Sequence, residues 1–296
     1  MGALEGKVAI VTGAGQGVGR CHAELLAAEG AAVVVNDLAD TADEVAAAIV
    51  ANGGRAVAHR GSVTDWATAG SLVQRAIDEF GDLHVLVNNA GFIRDAMSFS
   101  MEEAQFDAVV EVHLKGHFAP SHFAARYWRE QAKALGEGQP PVPRRIITTT
   151  SESGLFGGPG QSNYGSAKGG IITMTLILAR ELGRYGVTVN CIAPRARTPM
   201  TEVNPRFAKP EAGFDKYDPA NVSPMVAWLA SDDAHDVSGQ VFIVLGDQIH
   251  RMRPAEIASS IVAGERRWTV ADISAHKAEL FGDASPGVPA WGGPPM

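Results

Sequence analysis

The chain is poor in cysteine, in long apolar runs and in positive charge, and each shortage closes off a class of protein. Cys21 and Cys191 are its two cysteines among 296 residues. They are too few for a disulfide framework, and neither sits in a CxxC or Cys/His spacing that would hold zinc. Both read as thiols of a reducing compartment. No apolar run reaches the roughly 18 to 20 residues that cross a bilayer, and Met1 to Lys7 lacks the charged and apolar regions of a signal peptide. The expectation is a soluble, cytoplasmic protein with no membrane partner. Lys and Arg number 25 against 33 Asp and Glu, a net charge of -8 without a long basic run, which argues against nucleic acid as a partner.

What is present is glycine, at 33 residues, and a regular alternation of short apolar runs with helical stretches. Strand-like runs occur at Lys7 to Val11, Ala32 to Val35, Arg55 to His59, Leu83 to Val87, Arg144 to Thr149, Val187 to Cys191 and Gln240 to Val244. Runs this apolar, separated by helices, predict a doubly wound α/β fold with a parallel sheet covered on both faces. Pro120 interrupts the stretch from Glu102 to Leu135 and predicts a kink or two helices there. Residues Arg195 to Pro219 carry four prolines and little periodicity, the place for a substrate lid. One domain is expected over residues 1–248. A C-terminal extension, 249–296, follows, and its Gly/Pro-rich end from Gly282 reads as an arm.

Thr12-Gly13-Ala14-Gly15-Gln16-Gly17-Val18-Gly19 joins the first strand to the first helix, where backbone N–H groups and the positive helix end can hold a pyrophosphate. Glycine lets the backbone turn tightly and lets a phosphate approach. Asp37 ends the second strand 18 residues after Gly19, where a carboxylate can accept the adenosine ribose hydroxyls and repel a 2'-phosphate. No Arg or Lys is placed beside it in the sequence, and Gln16 is uncharged, so NAD is favoured over NADP. A solvated strand end or a cap for the next helix is the alternative reading of Asp37.

Tyr164 and Lys168 are four residues apart on a helical stretch, so one face carries both, about 6 Å apart along the axis. A cation beside a phenol favours the phenolate: bringing the ordinary pKa near 10 down to about 7.5 takes roughly 3 to 4 kcal/mol. Ser151 lies 13 residues before Tyr164, at the end of the fifth strand.

Through Thr12 to Gly19, Asn88-Asn89-Ala90-Gly91, Ser151 and Tyr164-Gly165-Ser166-Ala167-Lys168, the chain resembles the short-chain dehydrogenase/reductase family over residues 3–248, with a Rossmann-type fold. The resemblance implies that Tyr164 is the general acid/base, that Ser151 hydrogen-bonds the reacting oxygen, and that Lys168 holds the nicotinamide ribose and lowers the Tyr164 pKa. It places the cofactor on Gly13, Gln16, Gly17, Val18, Gly19, Asp37, Ser62, Val63, Asn89, Ala90, Gly91, Pro194 and Thr198, besides Tyr164 and Lys168. Three positions depart from the family pattern. His113 stands for the usual Asn of an Asn-Ser-Tyr-Lys tetrad, Ser62 stands for the Asp before Val63, and Arg195 stands where many relatives have glycine. With the His113 substitution, the segments Val11 to Arg20, Val33 to Leu38 and Ala193 to Thr201 resemble the (3R)-hydroxyacyl-CoA dehydrogenase part of peroxisomal multifunctional enzyme type 2 and its bacterial stand-alone relatives. That likeness implies an NAD-dependent oxidoreductase interconverting a (3R)-hydroxyacyl-CoA and its 3-ketoacyl-CoA, working as a homo-oligomer, dimer or tetramer.

The alternatives weighed are a steroid or alcohol dehydrogenase, a ketoacyl-carrier reductase, and a dinucleotide-sensing interaction module without catalysis. Arg195, Arg197, Lys209 and Lys216 offer charge to a CoA phosphate or are ordinary loop charges. Arg251, Arg253, Arg266 and Arg267 can touch a neighbour or pair with nearby acids. Trp268 and Trp291 can pack the arm onto a partner or the pocket. His113, His117 and His122 lack a carboxylate motif such as HExxH, so no metal is expected.

Overall fold

The structure, a computed structural model, describes residues 2–136, 138–201, 205–253, 255–289 and 291–294. Residues 202–204 of the expected lid, and 290, 295 and 296 of the expected arm, lie outside the described residues. Two compact units divide the chain after Met252.

The first unit is one sheet in the order β3-β2-β1-β4-β5-β6-β7-β8. Its strands are β1 (Val8–Thr12), β2 (Ala32–Asp37), β3 (Arg55–Arg60), β4 (Val85–Asn88), β5 (Arg144–Thr149), β6 (Val187–Pro194), β7 (Val241–Leu245) and β8 (Gln248–Arg251). All neighbours are parallel except β7 and β8. Every residue of β1, β4 and β5 is buried, which is why these runs show no polar alternation. Alternate side chains go to opposite cores: Val33 and Val35 pack with Leu26, Ile49 and Leu229, while Ala32 and Val34 pack with Ile10, Leu72, Leu86 and Trp128.

Exposed β8 was not foreseen. Gly246, at φ +57°, reverses the chain after β7, so the compact unit runs past the expected boundary at 248.

Helices α1 (Gly17–Ala28), α2 (Thr41–Ala51), α3 (Trp66–Phe80), α4 (Glu103–Val110), α5 (Gly116–Ala134), α6 (Glu152–Phe156), α7 (Ser162–Leu182) and α8 (Ser223–Ala230) flank the sheet. The break expected at Pro120 does not occur, because Pro120 is buried inside α5. The irregularity comes one turn earlier, as a π-turn at Glu111–Lys115 in which the Gly116 N–H reaches back to the Glu111 carbonyl. A proline crowds the carbonyl four residues before it, here that of Gly116, the residue at which the π-turn hands over to α5.

The second unit begins at Arg253 and holds two short helices, α9 (Val270–Ala275) and α10 (Lys277–Phe281). Thr269 caps α9, Arg266 pairs with Asp272, and Trp268 meets His276 edge-on at 5.3 Å. Arg253 pairs with Glu256, so two of the four arginines weighed as a cluster are engaged with local acids. Among the described residues, no helix is long and apolar enough to cross a membrane.

Candidate active site

The strand order reverses between β1 and β4, and an open α/β sheet offers a crevice at the carboxyl ends of its strands at such a point. The expected site residues follow β1, β2, β3, β4, β5 and β6 at these ends.

On the β1 side the contacts are made by backbone. Gly13 and Gly17 have φ of +62° and +55°, which side-chain-bearing residues rarely adopt. A Cβ on Gly13 would lie 2.7 Å from the Ala90 Cα, and one on Gly19 would lie 2.2 Å from the Gly13 carbonyl oxygen. Asn89 explains this closeness: its Nδ2 donates to the Thr12 and Gly13 carbonyls at 3.0 and 3.2 Å, while the Thr12 hydroxyl accepts from the Asn89 and Ala90 N–H groups at 2.9 and 3.1 Å. Gln16 gives α1 no side-chain cap and the first turn carries no acid, so the helix start keeps its N–H groups and positive end for an anion. A Cβ on Gly17 would lie 3.6 Å from the Thr198 Cγ2, which brings Thr198 from after β6 to the start of α1. Val18 beside it is buried.

Asp37 turns its Oδ2 to the Gly15 N–H at 2.9 Å and its Oδ1 to the Ala39 N–H at 3.2 Å. It is not the cap of α2, a position held by Asp40. The sequence places no cation beside Asp37, yet the β2–β3 register sets Arg60 directly opposite it, and Arg60 pairs with Asp43. The Ser62 hydroxyl is turned onto Thr64, and Val63 is packed where a Cβ on Gly116 would come within 2.7 Å.

On the β5 side the contacts are made by side chains. Ser151 caps α6, and α6 lies so close to α7 that a Cβ on Gly154 would be 2.6 Å from the Lys168 carbonyl carbon. The Thr150 hydroxyl donates to the Lys168 carbonyl at 2.7 Å, tying the same two segments. The Ser151 side chain stands beside the Tyr164 hydroxyl and favours its phenolate, and the Lys168 Nζ lies 5.5 Å from the Tyr164 ring centroid while donating to the Thr149 carbonyl at 2.7 Å. Burial pushes the Tyr164 hydroxyl up, with the Ser151 hydrogen bond opposing it and the Asp95 charge adding to it. In the chain alone desolvation outweighs the groups that favour phenolate, and the sequence reading relies on Lys168 together with the positive nicotinamide ring to oppose it. The same desolvation brings Lys168 down to about 7.

His113 meets the Tyr164 ring edge-on at 5.0 Å. Its Nε2 donates to the Phe92 carbonyl at 2.7 Å, leaving the buried Nδ1 without a partner among the described residues. Burial, with Lys168 nearby, holds His113 at about 3 and so neutral. Gly91 is what admits the imidazole: a Cβ there would lie 2.2 Å from the His113 Cε1. His117 instead accepts from the Thr149 N–H at 3.4 Å, and His122 stacks in an aromatic group with Trp66 and Phe123, so the three histidines go to three places.

The loop cations also separate. Arg195 is buried against Glu152, and Arg197 is paired with Asp215, which takes two of the four away from the role of free charges at a mouth. The Arg195 backbone lies outside the left-handed region, so a side chain is carried there without strain. Sequence reasoning missed Glu152, and it missed the chain in which the Gln161 side chain joins the Ser153 hydroxyl at 2.5 Å to the Asp95 carboxylate at 3.0 Å. For Glu152 a signal existed, since opposite charges stand immediately after Ser151 and Pro194. For Asp95 none did.

A family model described as short chain dehydrogenase matches residues 7–208. A hydroxyacyl-CoA dehydrogenase of Mycobacterium tuberculosis is 44% identical over 291 residues, covering 96% of this chain and 91% of the relative. A peroxisomal multifunctional enzyme type 2 of Drosophila melanogaster is 38% identical over 261 residues, 84% of this chain and 41% of that longer protein. The crystal structure of a short chain dehydrogenase from Mycobacterium avium superposes with a TM-score of 0.88 at 48% identity, covering 99% of this chain and all of that one.

Proposed function

The chain belongs to the short-chain dehydrogenase family and is an oxidoreductase acting on CH–OH groups, and from that premise we propose that it oxidises (3R)-hydroxyacyl-CoA to 3-ketoacyl-CoA with NAD. The observation that carries the reading is the convergence of the Ser151 side chain beside the Tyr164 hydroxyl with the Lys168 Nζ at 5.5 Å from the Tyr164 ring centroid. Support for the acyl class comes from the names of the relatives and from Lys209 and Lys216, exposed cations on the segment after β6 that suit a CoA phosphate.

In the oxidation, the Tyr164 oxygen takes the substrate hydroxyl proton and the Ser151 hydroxyl donates to the reacting oxygen. A bound nicotinamide dinucleotide supplies the hydride acceptor and a positive ring. Lys168, brought to about 7 by burial, supplies in its protonated form the positive charge that favours the phenolate. Neutral His113 fills the tetrad position as a clamp on the Phe92 carbonyl, and so fixes one wall of the Tyr164 ring. The residues present fit the cofactor: the α1 start for the pyrophosphate, Asp37 for the adenosine ribose, and Pro194 and Thr198 for the carboxamide end. The carboxylate at Asp37 supports NAD over NADP, since the Arg60 opposite it is already paired. Exposed Phe106, Phe118 and Ile177 on α4, α5 and α7 support a homo-oligomer, and the cysteine content supports a cytoplasmic setting.

The test is initial NADH formation from paired (3R)- and (3S)-hydroxyacyl-CoAs of graded chain length, beside free secondary alcohols and steroids. Turnover confined to the (3R)-CoA esters is the expected result. Activity on free alcohols alone removes the CoA assignment and leaves the oxidoreductase.

A further inference from the structure

We infer that Glu152 and Arg195 are a positioning pair that fixes Ser151 against the Pro194–Thr198 segment, an inference that rests on the reading above and deepens it. The hydrogen-bonded ladder between β5 and β6 ends at Thr149 and Ile192, with one further bond from the Thr150 N–H to the Ile192 carbonyl at 2.7 Å. Ser151 and Glu152 leave β5 just beyond that point, and Arg195 leaves β6 opposite them. There the guanidinium grips the carboxylate with two nitrogens, Nε to Oε2 at 2.8 Å and Nη2 to Oε1 at 2.5 Å. The fork geometry fixes direction as well as distance, which a single ammonium contact does not.

Both side chains are nearly closed to water, at 4% for Arg195 and 12% for Glu152. A buried ion pair contributes little stability over an apolar pair of the same volume, so stability alone does not account for its presence. Its location does. Glu152 is the residue after Ser151, the hydroxyl that faces Tyr164, and Arg195 is the residue after Pro194, with its own N–H anchored on the Val244 carbonyl at 2.9 Å. The pair thus transmits the rigid position of the β6–β7 edge to the Ser151 turn. Neither residue touches the reacting atoms; they act through Ser151.

The experiment compares the double variant Glu152→Gln/Arg195→Met, which leaves no unpaired buried charge, and the shortened-arm variant Glu152→Asp with the wild-type chain. Thermal midpoint, NADH dissociation constant by fluorescence, kcat and KM on the preferred hydroxyl substrate are measured for each. The expected result for the double variant is a kcat lower by at least about tenfold, with NADH affinity and substrate KM within about threefold, as displacement of a reacting group by an ångström predicts. Glu152→Asp is expected to lower kcat by about threefold or more at an unchanged thermal midpoint. A kcat within twofold of wild type in either folded variant overturns the inference, and should the double variant not fold, Glu152→Asp decides alone. Tyr164→Phe is run beside them: if it keeps turnover, the catalytic reading itself fails, whereas loss there with intact kcat in the Glu152 variants removes only the positioning role.

Discussion

The two sides of the crevice are built by different means. Around β1 and β2 the site is backbone: glycines at positive φ, an uncapped helix start, and carbonyls stitched by Asn89. Around β5 and β6 it is side chain: a half-buried phenol, a buried lysine, two buried neutral imidazoles and a nearly closed ion pair. Backbone N–H groups hold a phosphate without titrating and without a large desolvation cost, which suits a cofactor that must bind and leave. Proton transfer needs groups whose charge changes, and these must be kept from water at a cost in stability. The division predicts that changes on the first side alter which dinucleotide binds and changes on the second alter turnover.

Acid sharpens the contrast most. His113 and His117 on the second side, and His22 in α1, are held neutral by burial, with His22 and His113 at about 3. Below pH 6.5 the unfolded chain takes protons that the fold refuses, so stability falls as the pH drops through that window toward about 3. Between pH 7 and 5 His22 and His113 are each expected to cost about 2 kcal/mol. Urea unfolding at the two pH values checks this: His22→Gln, which can keep the bond to the Ser223 hydroxyl, should shrink the loss by about that amount, and an unchanged loss would place the acid sensitivity elsewhere. A smaller effect probes the first side. On the proposed reading, Asp37→Ser removes the carboxylate expected to repel a 2'-phosphate, while Arg60 opposite it stays paired with Asp43. The ratio of NADP to NAD efficiency should rise by about tenfold, with kcat on NAD little changed. A ratio that does not move would mean that cofactor choice lies beyond Asp37.

The same division explains what the sequence could tell. Glycine turns, an acid at a strand end and fully apolar strands are local patterns, so the phosphate turn, Asp37 and the parallel sheet were legible before any coordinates. Ser151, Tyr164 and Lys168 were singled out by the resemblance rather than by spacing alone, and the fold brings the three together because the strand end and the helix that carry them follow one another. Arg195 and Arg197 were misread as free charges because their partners, Glu152 and Asp215, are brought to them by the fold. Arg60 escaped notice beside Asp37 because a strand register is not written in either strand alone. Pro120 suggested a kink or two helices, but α5 runs through it and the irregularity is the π-turn before Gly116, and β8 lies after Gly246 where the apolar pattern had already ended.

The separation of binding from chemistry is tested most directly by Tyr164→Phe, assayed for NADH affinity and for turnover on the same preparation. Removing one hydroxyl from the second side should leave the NADH dissociation constant within about threefold of wild type and reduce turnover by at least about 10²-fold. Turnover near the wild-type rate would contradict the account, because the proton would then be leaving by a group other than Tyr164.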